Sequence, residues 1–112
     1  GDSHRAYQCT ALSIFYLTLD IFGKEDVSQA FYWPQELEPE HLARRSKLIG
    51  DHSGQVDTDC RQVHHIQLAP ENSNFEEIKE HYSEGKVYSF QLITDSIARG
   101  EFLDPAPYLI GE

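Results

Sequence analysis

Two cysteines and six histidines stand among the groups with which this 112-residue chain could do chemistry. Cys9 comes early in "AYQCTALSIFYLTLDIFG", residues 6–23, where the spacing of Leu12, Phe15, Tyr16, Leu19 and Phe22 predicts an amphipathic helix closed by Gly23. The first turn of a helix has unpaired amides and positive partial charge, so a thiol there ionises more readily and becomes a better nucleophile. Gln8, next to it, carries an amide suited to donating to an oxyanion. The competing reading makes Cys9 a small buried apolar residue, as free cysteines often are.

A thiol nucleophile needs a base. His64 and His65 are adjacent on an expected strand, Val63 to Leu68, so their side chains point to opposite faces and at most one can meet Cys9. His52 lies beside Asp51, which could orient it. The candidate catalytic set is therefore Cys9, Gln8 and His65, with His64 and His52 as alternatives for the base. There is no CxxC, GxGxxG, Walker loop or GxSxG, so neither metal nor cofactor is expected.

The elements that must position these groups follow from periodicity and punctuation. A short second helix is expected over "KEDVSQAFYW", capped by Asp26 and stopped by Pro34. A third is expected over "ELEPEHLARRSKLIG", with acids at its start and Arg44, Arg45 and Lys47 at its end, as the helix dipole favours. "DHSGQVDTDC" reads as a loop. "ENSNFEEIKEHYSEGK" predicts a helix with Ser73 and Glu76 at capping-box spacing. "VYSFQLI", residues 87–93, alternates like a strand, and "DSIARGE" reads as a turn. "FLDPAPYLI" reads as a final extended segment. Helices followed by strands imply an α+β class, with N-terminal helices packed on a small, mostly antiparallel sheet. Residues 1–112 fit one domain, and the abrupt ends "GDSH" and "LIGE" suit a piece of a larger protein.

Nine basic against nineteen acidic residues give a formal charge of −10. Such a surface disfavours nucleic acid and anionic membranes, and favours a basic protein partner. No apolar run is long enough to cross a bilayer and no signal peptide is visible, so an intracellular, cytoplasmic location with reduced thiols is expected.

Taken together, "YQCTALSIFYLTLDIFGKEDVSQAF" and "NFEEIKEHYSEGKVYSFQLI" resemble the papain-like cysteine peptidase superfamily. The first is similar to the Cys helix of bacteriocin-leader-processing peptidases, and the "QCT" start with a downstream Trp to the deubiquitinase domain of herpesvirus tegument proteins. The resemblance implies thiol acyl transfer on a peptide or isopeptide bond, with Cys9 as nucleophile. It also sets Asp104 of "FLDPAP" in the place of that branch's Asp-x-His aspartate, with Ala106 where the His would stand. Two functions are thus open at this stage: a papain-like acyl-transfer domain, complete or not, or an acidic non-enzymatic module that docks a basic partner surface.

Overall fold

The fold is a five-stranded, mostly parallel sheet, seen in a computed structural model that describes residues 20–24, 27–59, 61–62, 64–82 and 84–112. A small antiparallel hairpin comes first, β1 (Gly23–Lys24) with β2 (Val27–Ser28). The sheet then runs β3 (Ala30–Tyr32), β4 (Gln55–Asp57), β5 (Ile66–Ala69), β6 (Val87–Ser89) and β7 (Leu109–Gly111) in chain order. In space the order is β4-β3-β5-β6-β7. The β3–β4, β3–β5 and β5–β6 pairings are parallel; β6–β7 is antiparallel.

Parallel neighbours need crossovers, and the helices supply them. Helix α1 (Pro39–Gly50) links β3 to β4, helix α2 (Phe75–Ile78), prolonged by a 3-10 turn over Lys79–His81, links β5 to β6, and helix α3 (Gln91–Arg99) follows β6. Pro39 opens α1 because its ring presets a helical φ and its missing N–H would be unpaired there in any case. Gly54 lets the end of α1 close onto β4: a Cβ there would lie 2.6 Å from Ile49 Cγ2. Gly100 ends α3 in the left-handed region at φ 75°, its N–H returning to Ser96 and Ile97 carbonyls.

Successive strand residues face opposite sides, and the core divides accordingly. Phe31, Trp33, Leu68 and Phe90 join Ile49 of α1 and Leu92 and Ile93 of α3 on one face. Ala69 and Val87 join Ile78 and Tyr82 on the other.

The α+β expectation holds at the level of a mixed fold, but the mostly antiparallel sheet does not. The reason is that "KEDVSQAFYW" is not a helix; it supplies β2 and β3. Gln55–Asp57, inside the expected loop, is β4. The strand expected over 87–93 stops at Ser89, and the supposed turn after it is the second half of α3. Leu92, Ile93 and Ser96 are all buried at helical spacing. The long helix expected from residue 71 shrinks to α2 and its 3-10 turn. Its cap is Asn74, whose Oδ1 accepts from the Glu76 N–H at 3.0 Å, and Ser73 turns back to the Pro70 carbonyl instead. The helix expected over 6–23 lies almost wholly outside the described residues, and its last residues form a turn and the start of β1.

Candidate functional site

After β3 the chain goes to β4 on one side; it then passes to β5 on the other side of β3. Helices α1 and α2 therefore leave the carboxyl ends of β3 and β5 toward opposite faces, since one packs in each core cluster. The switch in strand order between them is the place where open parallel sheets characteristically bind ligands, and it is the candidate crevice. The loops over residues 33–38 and 70–74 flank it.

Both loops are held firmly. Trp33 Nε1–H donates to the Leu37 carbonyl at 2.7 Å, and Leu37 N–H to that of Pro34 at 3.0 Å. His81 Nδ1–H donates to Glu36 Oε1 at 3.0 Å. Three non-glycine residues among those described have positive φ, and two of them, Glu38 (49°) and Asn72 (64°), sit one in each loop. Asn tolerates that region; for Glu it is a strained conformation that persists where the surroundings enforce it. Here the enforcing group is Arg45 of α1, 93 % of whose surface is covered, as its 7 % exposure shows. Its Nη1 lies 2.9 Å from Glu38 Oε1, and its Nη2 donates to Glu71 Oε2 at 3.5 Å, so one guanidinium ties the two loops together. Its Cζ rests 4.5 Å from the Trp33 ring centre, a cation–π contact that keeps the charge over the core aromatic.

Glu36, Glu38 and Glu71 edge the crevice, and Glu40, Glu76 and Glu77 follow in the first turns of α1 and α2. Cations lie among them as well: Lys79 pairs with Glu76 at 2.6 Å, and Arg44 and Lys47 line a pocket of about 390 Å³ with Arg45 and Glu71. Hydrogen bonds from its own backbone and from His81 hold the Glu36 carboxyl below the usual carboxylate range, so it stays ionised. Fixed, ionised carboxylates of this kind accept hydrogen bonds from lysine or arginine side chains. Among the described residues no group of three or more His, Cys, Asp or Glu is placed to hold a metal ion.

Of the residues singled out from sequence, Cys9 and Gln8 lie outside the described residues. His65 is in the loop before β5 rather than on a strand with His64. Its Nδ1 accepts the Gln62 N–H at 2.7 Å, which leaves the proton on Nε2, 2.6 Å from Asp57 Oδ2. Its side chain is 1 % exposed and stacks beside Tyr32, so both ring nitrogens are spent on closing the 57–65 loop. His52 Nδ1–H donates to the Leu48 carbonyl at 2.9 Å, capping the end of α1. His64 is exposed. Asp104 Oδ1 accepts the Ala106 N–H at 3.2 Å, a turn-forming contact. Sequence reasoning missed Arg45, Glu38 and Glu71. Arg45 read as one of several cations at a helix end; only its i, i+4 relation to Ile49 could have hinted that it points inward.

No protein-family model matches the chain, and no curated protein matches its sequence. Among solved structures, the chain is similar to the BRCT domain of human DNA repair protein REV1, determined in solution. The two are 26 % identical, the match covers 75 % of this chain and 84 % of that one, and the TM-score is 0.50. This likeness overturns the papain-like resemblance, and with it the reading of a thiol peptidase or hydrolase. The motifs behind that resemblance were a cysteine opening an apolar stretch and a helix feeding a strand, both short patterns that unrelated folds share. The second of them belongs here to a parallel β5–α2–β6 unit.

Proposed function

We propose that this chain is a protein-interaction module whose crevice at the carboxyl ends of β3 and β5 receives basic side chains of a protein partner. The observation that carries it is the likeness to a BRCT domain over three quarters of the chain, here combined with an acidic rim on two braced loops. Lysines or arginines of the partner enter between Glu36, Glu38 and Glu71, and the charge of −10 speeds their approach. The same charge works against phosphate backbones, so nucleic acid is not the partner. The described residues act as one unit, and the setting is intracellular, as for a DNA repair protein. Among the described residues no helix is long and apolar enough to cross a membrane.

A fluorescent lysine-rich peptide, a glutamate-rich control of the same length and a DNA duplex are suitable probes. Only the lysine-rich peptide is expected to bind, with an association rate that falls steeply with salt, because such attraction is screened beyond about 8–10 Å at physiological ionic strength. Glu36→Gln combined with Glu40→Gln should weaken it without unfolding the protein, since both side chains are exposed and neither pairs with the buried Arg45. Equal binding by that double variant, or binding of the duplex, would sink the proposal.

A further inference from the structure

His65, in the loop between β4 and β5, is a titratable side chain that the crevice does not use. Only 1 % of that side chain is exposed. Two groups hold the ring, one at each nitrogen. The Gln62 N–H donates to Nδ1 at 2.7 Å, and Nε2–H donates to Asp57 Oδ2 at 2.6 Å. The His65 N–H returns to the Gln62 carbonyl at 3.0 Å, so Gln62 forms a tight corner whose second bond depends on the ring. Gln62 is also a wall of a polar pocket of about 370 Å³ at the end of β4, with Val56, Asp57, Thr58 and Asp59.

The two bonds answer differently to a proton. The bond to Gln62 requires a bare Nδ1, which only the neutral ring has; an imidazolium is a donor at both nitrogens. The bond to Asp57 becomes an ion pair when the ring is charged, and so strengthens. A proton arriving at Nδ1 therefore sets two N–H groups against each other on the Gln62 side while it tightens the Asp57 side. With the Gln62 bond made, the ring carries one proton fewer than with it broken, so falling pH favours release of the corner. Among the described residues, the other groups about the ring are His64, whose ring centre is 4.7 Å away, and Tyr32 of β3, stacked at 6.5 Å. Asp59 and Arg61 are further charged residues of the same loop. His64 is exposed and, once charged itself, opposes a charge on His65, whereas Asp57 favours one.

We propose that His65 is a proton-operated latch. Neutral, it pins the Gln62 corner at the wall of the pocket; charged, it keeps Asp57 and lets Gln62 go, which opens that wall. The latch is independent of the crevice and of what binds there.

The test is NMR on the full chain between about pH 8 and about pH 5, the range over which an imidazole changes charge, reading the imidazole nitrogens and the exchange of the backbone amides together. At the upper end Nδ1 of His65 is expected bare and the Gln62 amide protected. As Nδ1 takes its proton, the protection of Gln62, corrected for intrinsic exchange, should fall on the order of tenfold, the weight of one hydrogen bond, while amides within β5 keep theirs. Asp57→Asn keeps an acceptor for Nε2–H but removes the charge, and should move the transition to lower pH. His65→Asn, whose side-chain oxygen takes the place of Nδ1, should keep Gln62 protected with no such transition. A proton on Nδ1 at the upper end, a ring that stays neutral throughout, or Gln62 protection that stays level while Nδ1 titrates would overturn the latch. So would an unshifted transition in Asp57→Asn, or an unchanged one in His65→Asn. If His65→Asn does not fold, the titration of the natural chain decides alone.

Discussion

On the α1 and α3 side of the sheet, Phe22, Phe31, Trp33, Phe90, Leu68 and Ile49 form a broad aromatic and aliphatic layer. Phe31 meets Phe22 edge-to-face at 5.3 Å and Phe102 at 6.0 Å, and Trp33 meets Phe90 at 6.0 Å. On the α2 side, among the described residues, Ala69, Ile78, Tyr82 and Val87 form a smaller buried cluster, with Tyr32, Leu37, Phe75 and Ile110 around them. The difference follows from the helices. The 12-residue α1 brings Ile49 with Leu42 and Leu48, and the 9-residue α3 brings Leu92 and Ile93 with Ile97, to the first face, whereas α2 contributes a single turn of four residues. Stability is thus concentrated on one face. The crevice lies where the two meet, with Arg45 anchored in the thick layer and reaching to a loop of each crossover.

The largest expected effect breaks the comparison most directly. Phe31 is 0 % exposed at the centre of the thick layer, and Phe31→Ala should cost about 3–5 kcal/mol. Ile78, 8 % exposed under a single helical turn that can settle into the gap, should cost about 2 kcal/mol as Ile78→Ala, the low end for such truncations. Urea unfolding of both variants measures this. Equal losses would mean that the α2 face is as well consolidated as the other.

The order of the strands and the start of α3 are the parts least legible in the sequence. Helix α1 could be located because Pro39, the acids before it and the cations after it all agree. β3 and β4 are three residues each, too short to display a period of two, and their partners are distant in sequence, so nothing local announces a parallel pair. Val87 to Ile93 satisfies alternation and helical spacing alike; Phe90 at the helix start and Gly100 at its end settle it, the second being a signal available in the sequence. Ile78 and Tyr82 pack with Val87 and Ala69, on the face of β6 opposite to Tyr88, which no local signal announces. At the crevice, the acidic residues were visible in composition, but that Glu38 and Glu71 share one buried arginine is a tertiary fact.

A smaller effect sharpens the picture of the thin face. Tyr82 is buried, and its hydroxyl donates to the Leu68 carbonyl at 2.5 Å, across the sheet from its own turn. Tyr82→Phe keeps the ring and removes the donor, which should cost about 1 kcal/mol. Calorimetry of the variant checks this. No loss at all would show that the hydroxyl plays no part in compensating for the thinner apolar layer.

The smallest effect distinguishes the two kinds of environment without unfolding anything. Burial raises the pKa of Tyr82 well above that of an ordinary phenol, with the nearby Tyr32 and Glu36 adding to the rise. Tyr108, at the surface, is raised for another reason: its hydroxyl donates to Asp95 Oδ2 at 2.8 Å, and the carboxylate opposes the phenolate. Asp95 in turn is lowered by the Gln91 amide at 2.8 Å and by Tyr108. The signs define a window. A lowered Asp95 stabilises the fold above the ordinary carboxylate pKa, and that contribution is lost as pH falls through its depressed value. A raised Tyr108 stabilises it below the ordinary phenol pKa, and that contribution is lost as pH rises through its elevated value. The bond pins the turn that leads into β7, so this edge strand should loosen at both extremes. Asp95→Asn should flatten the acid arm of a melting curve measured against pH. In an ultraviolet phenolate titration it should return Tyr108 toward the ordinary range while Tyr82 stays high. If both tyrosines moved together, the surface bond and the buried ring would be coupled through the sheet, and the two faces would not be separable in the way their packing indicates.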